Sequence, residues 1–95
     1  MKIEELIRNK IFYIKISDGE FIIKGNSNQN YAFDNIKIGQ WYNKGGYFNS
    51  LKGIDFNGRI ANSQEERYFI ACEKANKYLE IPLEEELVEL KFSIW

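Results

Sequence analysis

The chain has 95 residues, of which 44% are hydrophobic and 28% are charged, and its net charge is −1. This length allows one folded domain spanning residues 1–95, and the composition is typical of a globular protein, not of a disordered segment. The chain contains no histidine, which excludes His-based catalytic triads, His-containing zinc sites and the most common proton shuttle near neutral pH.

The first nine residues predict a short helix. Ile3, Leu6 and Ile7 recur at the spacing of one helical face, and Asn9 can end the helix in the left-handed conformation. Because two helical turns are unstable alone, this helix should dock its apolar face on the rest of the domain. The segment lacks the apolar stretch of a signal peptide, and no apolar run in the chain is long enough to span a membrane. We therefore expect a cytoplasmic protein.

A β-hairpin is the strongest local prediction. The segments 11–17 and 21–24 are rich in β-branched and aromatic residues, and they flank Asp18-Gly19-Glu20. Glycine supplies the positive φ that a tight hairpin turn requires. The second face of the first strand is also partly apolar, so we expect another element to cover part of it. The two faces are Phe12, Ile14 and Ile16, and Ile11, Tyr13 and Lys15.

The middle of the chain is harder to assign. Residues 31–38 predict a third strand. The stretch Gly39–Gly58 then interrupts the pattern, because it holds five of the seven glycines and five aromatic residues. Within it, Leu51–Phe56 predicts a fourth strand, which Gly53 weakens.

A long helix is predicted to begin near residue 63. Ser63 can cap it while Glu66, three residues later, reaches back in a capping box. Apolar residues then recur at helical spacing, which predicts about four turns that cover a sheet. Pro82 limits the far end. The apolar stripe consists of Tyr68, Ala71, Cys72, Ala75, Tyr78 and Leu79.

The C-terminal segment 83–89 can be a short helix or a loop, and residues 88–94 alternate like a half-buried strand. The predicted class is therefore α+β. It has an antiparallel sheet of four to five strands, built from the N-terminal hairpin plus the C-terminal strand. One long amphipathic helix packs on a face, and a short helix begins the chain.

Two segments are candidate binding surfaces. In 41–58, exposed aromatics could stack on a ligand and lysines could meet phosphate or acidic groups; the alternative is an irregular connection whose aromatics close the core edge. In the tail, an acidic run could contact a basic partner, or it could be a solvated face. The terminal tryptophan is either a docking anchor or a residue that closes the sheet. The candidates are Trp41, Tyr42, Lys44, Tyr47 and Lys52, and Glu84, Glu85, Glu86 and Trp95.

Residues suited to catalysis are few. Cys72 lies on the apolar stripe of the predicted helix, where it is expected to be a small buried hydrophobic residue. A cysteine nucleophile would need a base, and no histidine is present to serve as one. The spacing of aspartates and glutamates selects no catalytic pair. We therefore expect a non-enzymatic protein with no cofactor and no metal.

The preferred hypothesis is a binding protein that acts by protein–protein interaction on a bacterial protein or nucleoprotein complex. Low proline and abundant isoleucine, lysine and asparagine suggest an AT-rich coding sequence, as in many low-GC bacteria and their phages. A concrete form is a phage or mobile-element inhibitor of a bacterial defence complex. Small anti-CRISPR proteins resemble this chain in size and chemistry only, and no motif carries the resemblance.

Two alternatives stay open. One is binding of a small ligand or single-stranded nucleic acid, in which Trp41 and Tyr47 stack and Lys44 and Lys52 contact phosphate. An isoelectric point near 5.5 argues against a dedicated duplex-DNA-binding protein. The other alternative is a structural subunit or homodimer, in which the C-terminal strand carrying Trp95 pairs edge to edge.

Overall fold

The computed structural model describes residues 1–6, 10–25 and 32–80. In this part of the chain, five strands form one antiparallel sheet in the order β4-β3-β2-β1-β5, accompanied by one α-helix and two 3₁₀ turns. The predicted α+β class is confirmed. The elements in chain order are a first 3₁₀ turn (Ile3–Glu5), β1 (Ile11–Ile16), β2 (Gly19–Gly25), β3 (Ala32–Lys37), β4 (Trp41–Tyr47), a second 3₁₀ turn (Asn49–Leu51), β5 (Asn57–Ile60) and α1 (Ser63–Ala75).

The predicted hairpin is present as β1 and β2. Ile14 lies opposite Phe21, and Ile16 lies opposite Gly19, directly after the two-residue turn. Gly19 has a φ of 135°, a backbone conformation that a residue with a side chain rarely adopts. The glycine therefore allows the chain to reverse within two residues.

The sheet carries apolar side chains on both of its faces. Successive residues of a strand point to opposite faces, so β1, β2 and β3 each contribute to two separate clusters. We call the cluster beneath the helix the helix-side cluster and the opposite one the turn-side cluster. The helix-side cluster is Ile22, Ile36, Ile38, Tyr68, Phe69 and Cys72, and the turn-side cluster is Ile3, Phe12, Ile14, Phe21, Ile23, Phe33, Phe48, Leu51 and Phe56.

The expected cover over the second face of β1 is helix α1. Ile11 and Tyr13 pack against the helix-side cluster, to which α1 contributes Tyr68, Phe69 and Cys72. The first 3₁₀ turn and the second 3₁₀ turn cover the other face through Ile3 and Leu51. No helix in the described part of the chain is long and apolar enough to cross a membrane.

The ends of α1 differ from the prediction by a few residues. Asn62, not Ser63, is the N-cap: its side chain accepts from the Glu65 amide at 2.8 Å, and its own amide donates to Glu65 Oε1 at 2.9 Å. Both Asn62-x-x-Glu65 and Ser63-x-x-Glu66 fit the pattern of a capping box, and the helix uses the first of the two. At the other end, Asn76 adopts the left-handed conformation with a φ of 53°, so the helix stops before Leu79.

Three other predictions need correction. The predicted N-terminal helix is only the 3₁₀ turn Ile3–Glu5 in the described residues. The predicted strand Leu51–Phe56 is wrong, because that stretch holds the end of the second 3₁₀ turn and an irregular segment, and the strand begins at Asn57. The predicted interruption after Gly39 is also wrong in part, since Trp41–Tyr47 is a strand. The predicted C-terminal strand and segment 83–89 lie outside the described residues.

A buried carboxylate joins β5 to α1. Glu65 is completely buried, and its two oxygens accept from the two terminal nitrogens of Arg59 at 2.7 and 2.9 Å. The guanidinium also lies 4.6 Å from the ring centroid of Tyr13, whose hydroxyl donates to Glu20 at 2.7 Å. A buried carboxylate is costly unless it is paired and hydrogen-bonded, and here the Arg59 guanidinium together with the Asn62 amide offsets that cost.

We predict that Arg59→Met lowers the free energy of unfolding by about 2–3 kcal/mol. The substitution leaves the Glu65 carboxylate buried without its cation, and the loss stays near the low end for buried pairs because the Arg59 side chain is 46% exposed. Urea denaturation measures the change.

The matched control is Lys24→Met, which removes the ion pair between Lys24 and Glu73 (2.7 Å), where both side chains keep part of their solvent exposure. That variant should cost less than about 1 kcal/mol. Equal losses in the two variants would contradict a special role for the buried carboxylate.

Candidate functional site

A groove crosses the turn-side face of the sheet, on the side opposite α1. It consists of two adjoining cavities of about 670 and 180 Å³. The two cavities share Ile16, Asp18 and Ser50 in their linings, so they lie next to each other. We call them the larger and the smaller cavity.

The larger cavity lies between the β1–β2 turn and the segment that follows the second 3₁₀ turn. One wall is formed by residues 15–18, and the other by residues 50, 51 and 54–57. Ile54 lies on this second wall and is 52% exposed. A volume of this size is within the range of sites that hold a small molecule or a short segment of a partner.

The smaller cavity has aromatic walls. The Phe21 ring meets Trp41 edge to face, with centroids 6.2 Å apart, and meets Phe48 in the same way at 5.4 Å. All three residues line the cavity together with Tyr47. Trp41 is 36% exposed and Tyr47 is 59% exposed, so aromatic surface borders the cavity at the β4 edge.

Two amide side chains also line the smaller cavity. Asn35 and Asn43 lie opposite each other on β3 and β4. Asn35 is completely buried, and its Nδ2 donates to the Phe33 carbonyl at 3.0 Å. That bond sets the orientation of the amide and leaves Asn35 Oδ1 buried without a hydrogen-bond partner. Buried polar atoms are nearly always paired, so this oxygen is an exception in the interior, and its burial keeps it from contacting a molecule in the cavity.

The small residue Gly46 makes room for these amides. A Cβ at this position would lie 2.5 Å from Asn35 Nδ2 and 2.9 Å from Asn43 Nδ2, which is closer than real Cβ atoms approach a neighbour. A larger residue at position 46 would require these two amide groups to shift. Gly46 therefore allows the close packing of the two amides beside β4.

A β-bulge precedes Gly46. Between Phe33 and Asn35 the register of β3 and β4 shifts, so that Lys44 and Gly45 together lie opposite Asp34. Gly45 has a φ of 83°, and its amide donates to Asp34 Oδ1 at 2.8 Å. A bulge bends and twists its strand, so β4 bends locally next to Gly46.

The sequence-predicted site residues separate in the structure. Trp41 and Tyr47 line the smaller cavity, whereas exposed Lys44 and Lys52 line neither cavity. Tyr42 belongs to the other face of the sheet, where it packs against the helix-side cluster and meets the Phe69 ring at 6.3 Å. The remaining candidates, Glu84, Glu85, Glu86 and Trp95, lie outside the described residues.

The charges that line the groove are Lys15, Asp18 and Asp55. Asp55 forms an ion pair with the Met1 ammonium, and that hydrogen-bonded cation holds the pKa of the Asp55 carboxyl below its usual range. Asp18 is exposed and takes part in none of the ion pairs found among the described residues.

Sequence reasoning missed Asn35 and Asp18, which it placed only in a strand and in a turn. Ile54 lies inside the candidate segment 41–58 but was not among the residues singled out there. All three residues reach the groove because distant segments meet there. A polar residue at an inward strand position was the signal available for Asn35, because strands with a buried face favour apolar residues there.

The thiol of Cys72 is buried in the helix-side cluster, and burial raises its pKa. Its placement agrees with the expected role of a small apolar core residue. Within residues 1–6, 10–25 and 32–80, no three Asp, Glu or Cys side chains are grouped so that they could hold a metal ion.

Comparison with protein-family models, with curated proteins and with solved structures finds no match to this chain.

We predict that Tyr42→Phe keeps or raises the stability at pH 8, by up to about 1 kcal/mol, because the variant removes a buried hydroxyl that has no hydrogen-bond partner. The matched control is Tyr13→Phe, which loses the hydrogen bond to Glu20 and should cost about 1 kcal/mol. Urea denaturation of the two variants at pH 8 tests this order, and the reverse order would contradict it.

The same variant has a predicted pH dependence. Burial, with Asp34 and Glu73 nearby, raises the pKa of Tyr42 to about 12. The unfolded chain loses the Tyr42 proton near pH 10, whereas the folded chain keeps it. The contribution of this group to stability is therefore fully present below pH 10 and is lost between about pH 10 and 12. Tyr42→Phe should lose less stability than the original chain between pH 8 and pH 11. An unchanged loss would show that Tyr42 is solvated.

Proposed function

We propose that this protein is a non-catalytic binding protein that acts by contacting a protein partner through the groove on the turn-side face. One observation carries the proposal: five large hydrophobic side chains are exposed among the described residues, and three of them line this groove. Exposed apolar residues gathered at a concave surface are typical of interaction sites. The three are Trp41, Tyr47 and Ile54.

The groove has a rigid base. Its floor belongs to the turn-side cluster, whose members Phe21 and Phe48 are buried and stacked edge to face. Rigid support lowers the entropy lost on binding, since few side chains must be ordered. A stable protein interface buries roughly 800 Å² on each partner, so the groove is proposed as the centre of a larger contact.

The charges favour a protein over a nucleic acid. Lys15, Asp18 and Asp55 line the groove, and the Asp55 carboxylate is paired with the Met1 ammonium. A nucleic-acid backbone would bring phosphates next to Asp18, where like charges repel. The two lysines expected to meet phosphate, Lys44 and Lys52, do not line either cavity. Nucleic-acid binding is therefore the less favoured candidate.

Catalysis is not part of the proposal. The thiol of Cys72 is buried and its pKa is raised, which keeps it protonated at neutral pH and away from substrates. In the form we propose, the protein works in the bacterial cytoplasm and inhibits a defence nuclease by occupying one of its surfaces. The amino-acid composition, which suggests an AT-rich coding sequence, supports this version.

The test uses two matched variants. Ile54→Asp places a charge in the groove, whereas Ile70→Asp places the same charge on α1, on the other side of the sheet, at a residue that is also exposed (39%). Both substitutions are at exposed positions and should leave stability within about 0.5 kcal/mol of the original chain.

We predict that tagged protein retains its partner from a host lysate, that Ile54→Asp weakens this complex at least about tenfold, and that Ile70→Asp does not. The nuclease activity of the partner should be lower in the presence of the original chain than in the presence of the Ile54→Asp variant. Equal retention by both variants would contradict the groove as the binding surface. Recovery of nucleic acid alone, lost at high salt, would favour the other candidate.

A further inference from the structure

We propose that the C-terminal segment 81–95, which we call the tail, lies in the groove of the turn-side face until the protein partner displaces it. The inference deepens the proposed function, on which its consequence for the partner rests, because it names what fills the same site in the free protein. Three features carry it: the place where the described chain ends, the order of residue types along the tail, and the apolar surface of the groove.

The described part of the chain ends at the β3–β4 turn, formed by residues 38–40. The Tyr68 hydroxyl donates to the Leu79 carbonyl, and the Gly39 amide donates to the Tyr78 hydroxyl at 3.1 Å. These two bonds attach the residues that follow α1 to the helix and to this turn. β4 starts directly after the turn, with a tryptophan that borders the smaller cavity.

The groove lies at this same end of the sheet. The Ile38 amide donates to the Glu20 carbonyl at 2.9 Å, so the β3–β4 turn lies beside the β1–β2 turn, whose Asp18 lines both cavities. When extended, residues 81–87 span up to about 24 Å, and the described part of the chain measures 39 × 24 × 20 Å. Residues 88–94 can therefore pass around the end of the sheet and reach the turn-side face.

The tail has a residue pattern that suits such a groove. Its apolar residues alternate with polar ones, so in an extended conformation four large apolar side chains project to one side. Water is an unfavourable environment for that side, and its burial against another apolar surface is stabilising. The four residues are Val88, Leu90, Phe92 and Ile94.

The groove offers the matching surface. Trp41, Tyr47 and Ile54 border it and keep much of their own surface exposed. The other face of the sheet is covered by α1, and the free edge of β4 is interrupted at Gly45, whose amide is bonded to Asp34. The second edge strand, β5, lies at the opposite side of the sheet from β4. Among the described surfaces, the groove is therefore the one best suited to the tail.

Charge makes a smaller contribution. Residues 84–86, all glutamate, come between the described end of the chain and the apolar residues of the tail. They must pass the end of the sheet where Lys37 precedes the β3–β4 turn and Lys15 lies opposite Glu20 in the hairpin. Asp18 lies at the same end, so apolar contact, and not charge, sets the strength of docking.

A spin label on the tail locates it in the full chain. Lys91→Cys places the label on the polar side of the tail, and Cys72 does not compete for it, because its thiol is buried and its pKa is raised. We expect the label to broaden the amide NMR signals of Trp41 and Ile54 in the groove more than that of Ile70 on α1.

Two matched substitutions in the labelled chain test the contact. Phe92→Asp puts a charge on the apolar side of the tail and should weaken docking at least about tenfold, so that the broadening in the groove is lost. Ser93→Asp puts the same charge on the polar side and should leave the broadening in place. Because the partner needs an open groove, Phe92→Asp without the label should also bind the captured partner up to about tenfold more tightly, whereas Ser93→Asp should not.

Contrary results fall into three kinds. Strongest broadening at Ile70 or at Ile60 of β5, or broadening with no preferred region, would overturn the placement of the tail. Broadening in an isotope-labelled chain that carries no spin label, mixed with spin-labelled chain, would overturn it too, since the occupant would then belong to a second copy. Weaker partner binding by Phe92→Asp would overturn displacement, because the tail would then contribute to the partner interface.

These results are separable from failure of the proposed function. If Ile54→Asp does not release the partner while the label on the tail still broadens the groove signals, the tail keeps its place and the partner binds another surface. If Ile54→Asp releases the partner and the groove signals are not broadened, the groove is the partner interface and the tail does not occupy it.

Discussion

The structure depends on one constraint: a sheet that is apolar on both faces must be covered on both. β1, β2 and β3 send side chains to the helix-side cluster and to the turn-side cluster, and leaving either set in water would cost roughly 1.5–3 kcal/mol per large side chain. One helix covers the first face. The second face is covered by two three-residue turns and the residues next to them, and these are too short to extend over the whole sheet. The groove is the part of this face that they leave open.

The Arg59–Glu65 pair holds the helical cover in place. Glu65 accepts a hydrogen bond from the Asn62 amide at the start of α1, and its two oxygens accept from Arg59 on β5. The first turn of α1 is thereby attached to β5, which lies next to β1 in the sheet. Arg59 also lies over Tyr13, so the pair connects the edge strand, the helix and the hairpin. One buried carboxylate thus holds the first turn of α1 against β5.

The fold was more predictable from the sequence than the site. The hairpin follows from local signals, since a glycine turn lies between two apolar runs. β4 was missed because two adjacent glycines are typical of a loop. In the structure Gly45 forms a bulge within the strand, and Gly46 leaves room for the side-chain amides of Asn35 and Asn43. Trp41 and Tyr47 were found from composition alone. Asn35 and Asp18 were not, because each reaches the smaller cavity only through the tertiary packing of β3, β4 and the hairpin turn.

The bulge in β4 has a consequence for how copies of this protein behave together. Among the described residues β4 pairs only with β3, so it forms one edge of the sheet. A straight edge offers a regular row of donors and acceptors onto which another strand can add, the usual beginning of amyloid-like stacking. Here the row is broken at Gly45, whose amide is already used by Asp34, and charged Lys44 lies beside it. We therefore expect the bulge to hinder the addition of a strand from another copy at this edge of the sheet.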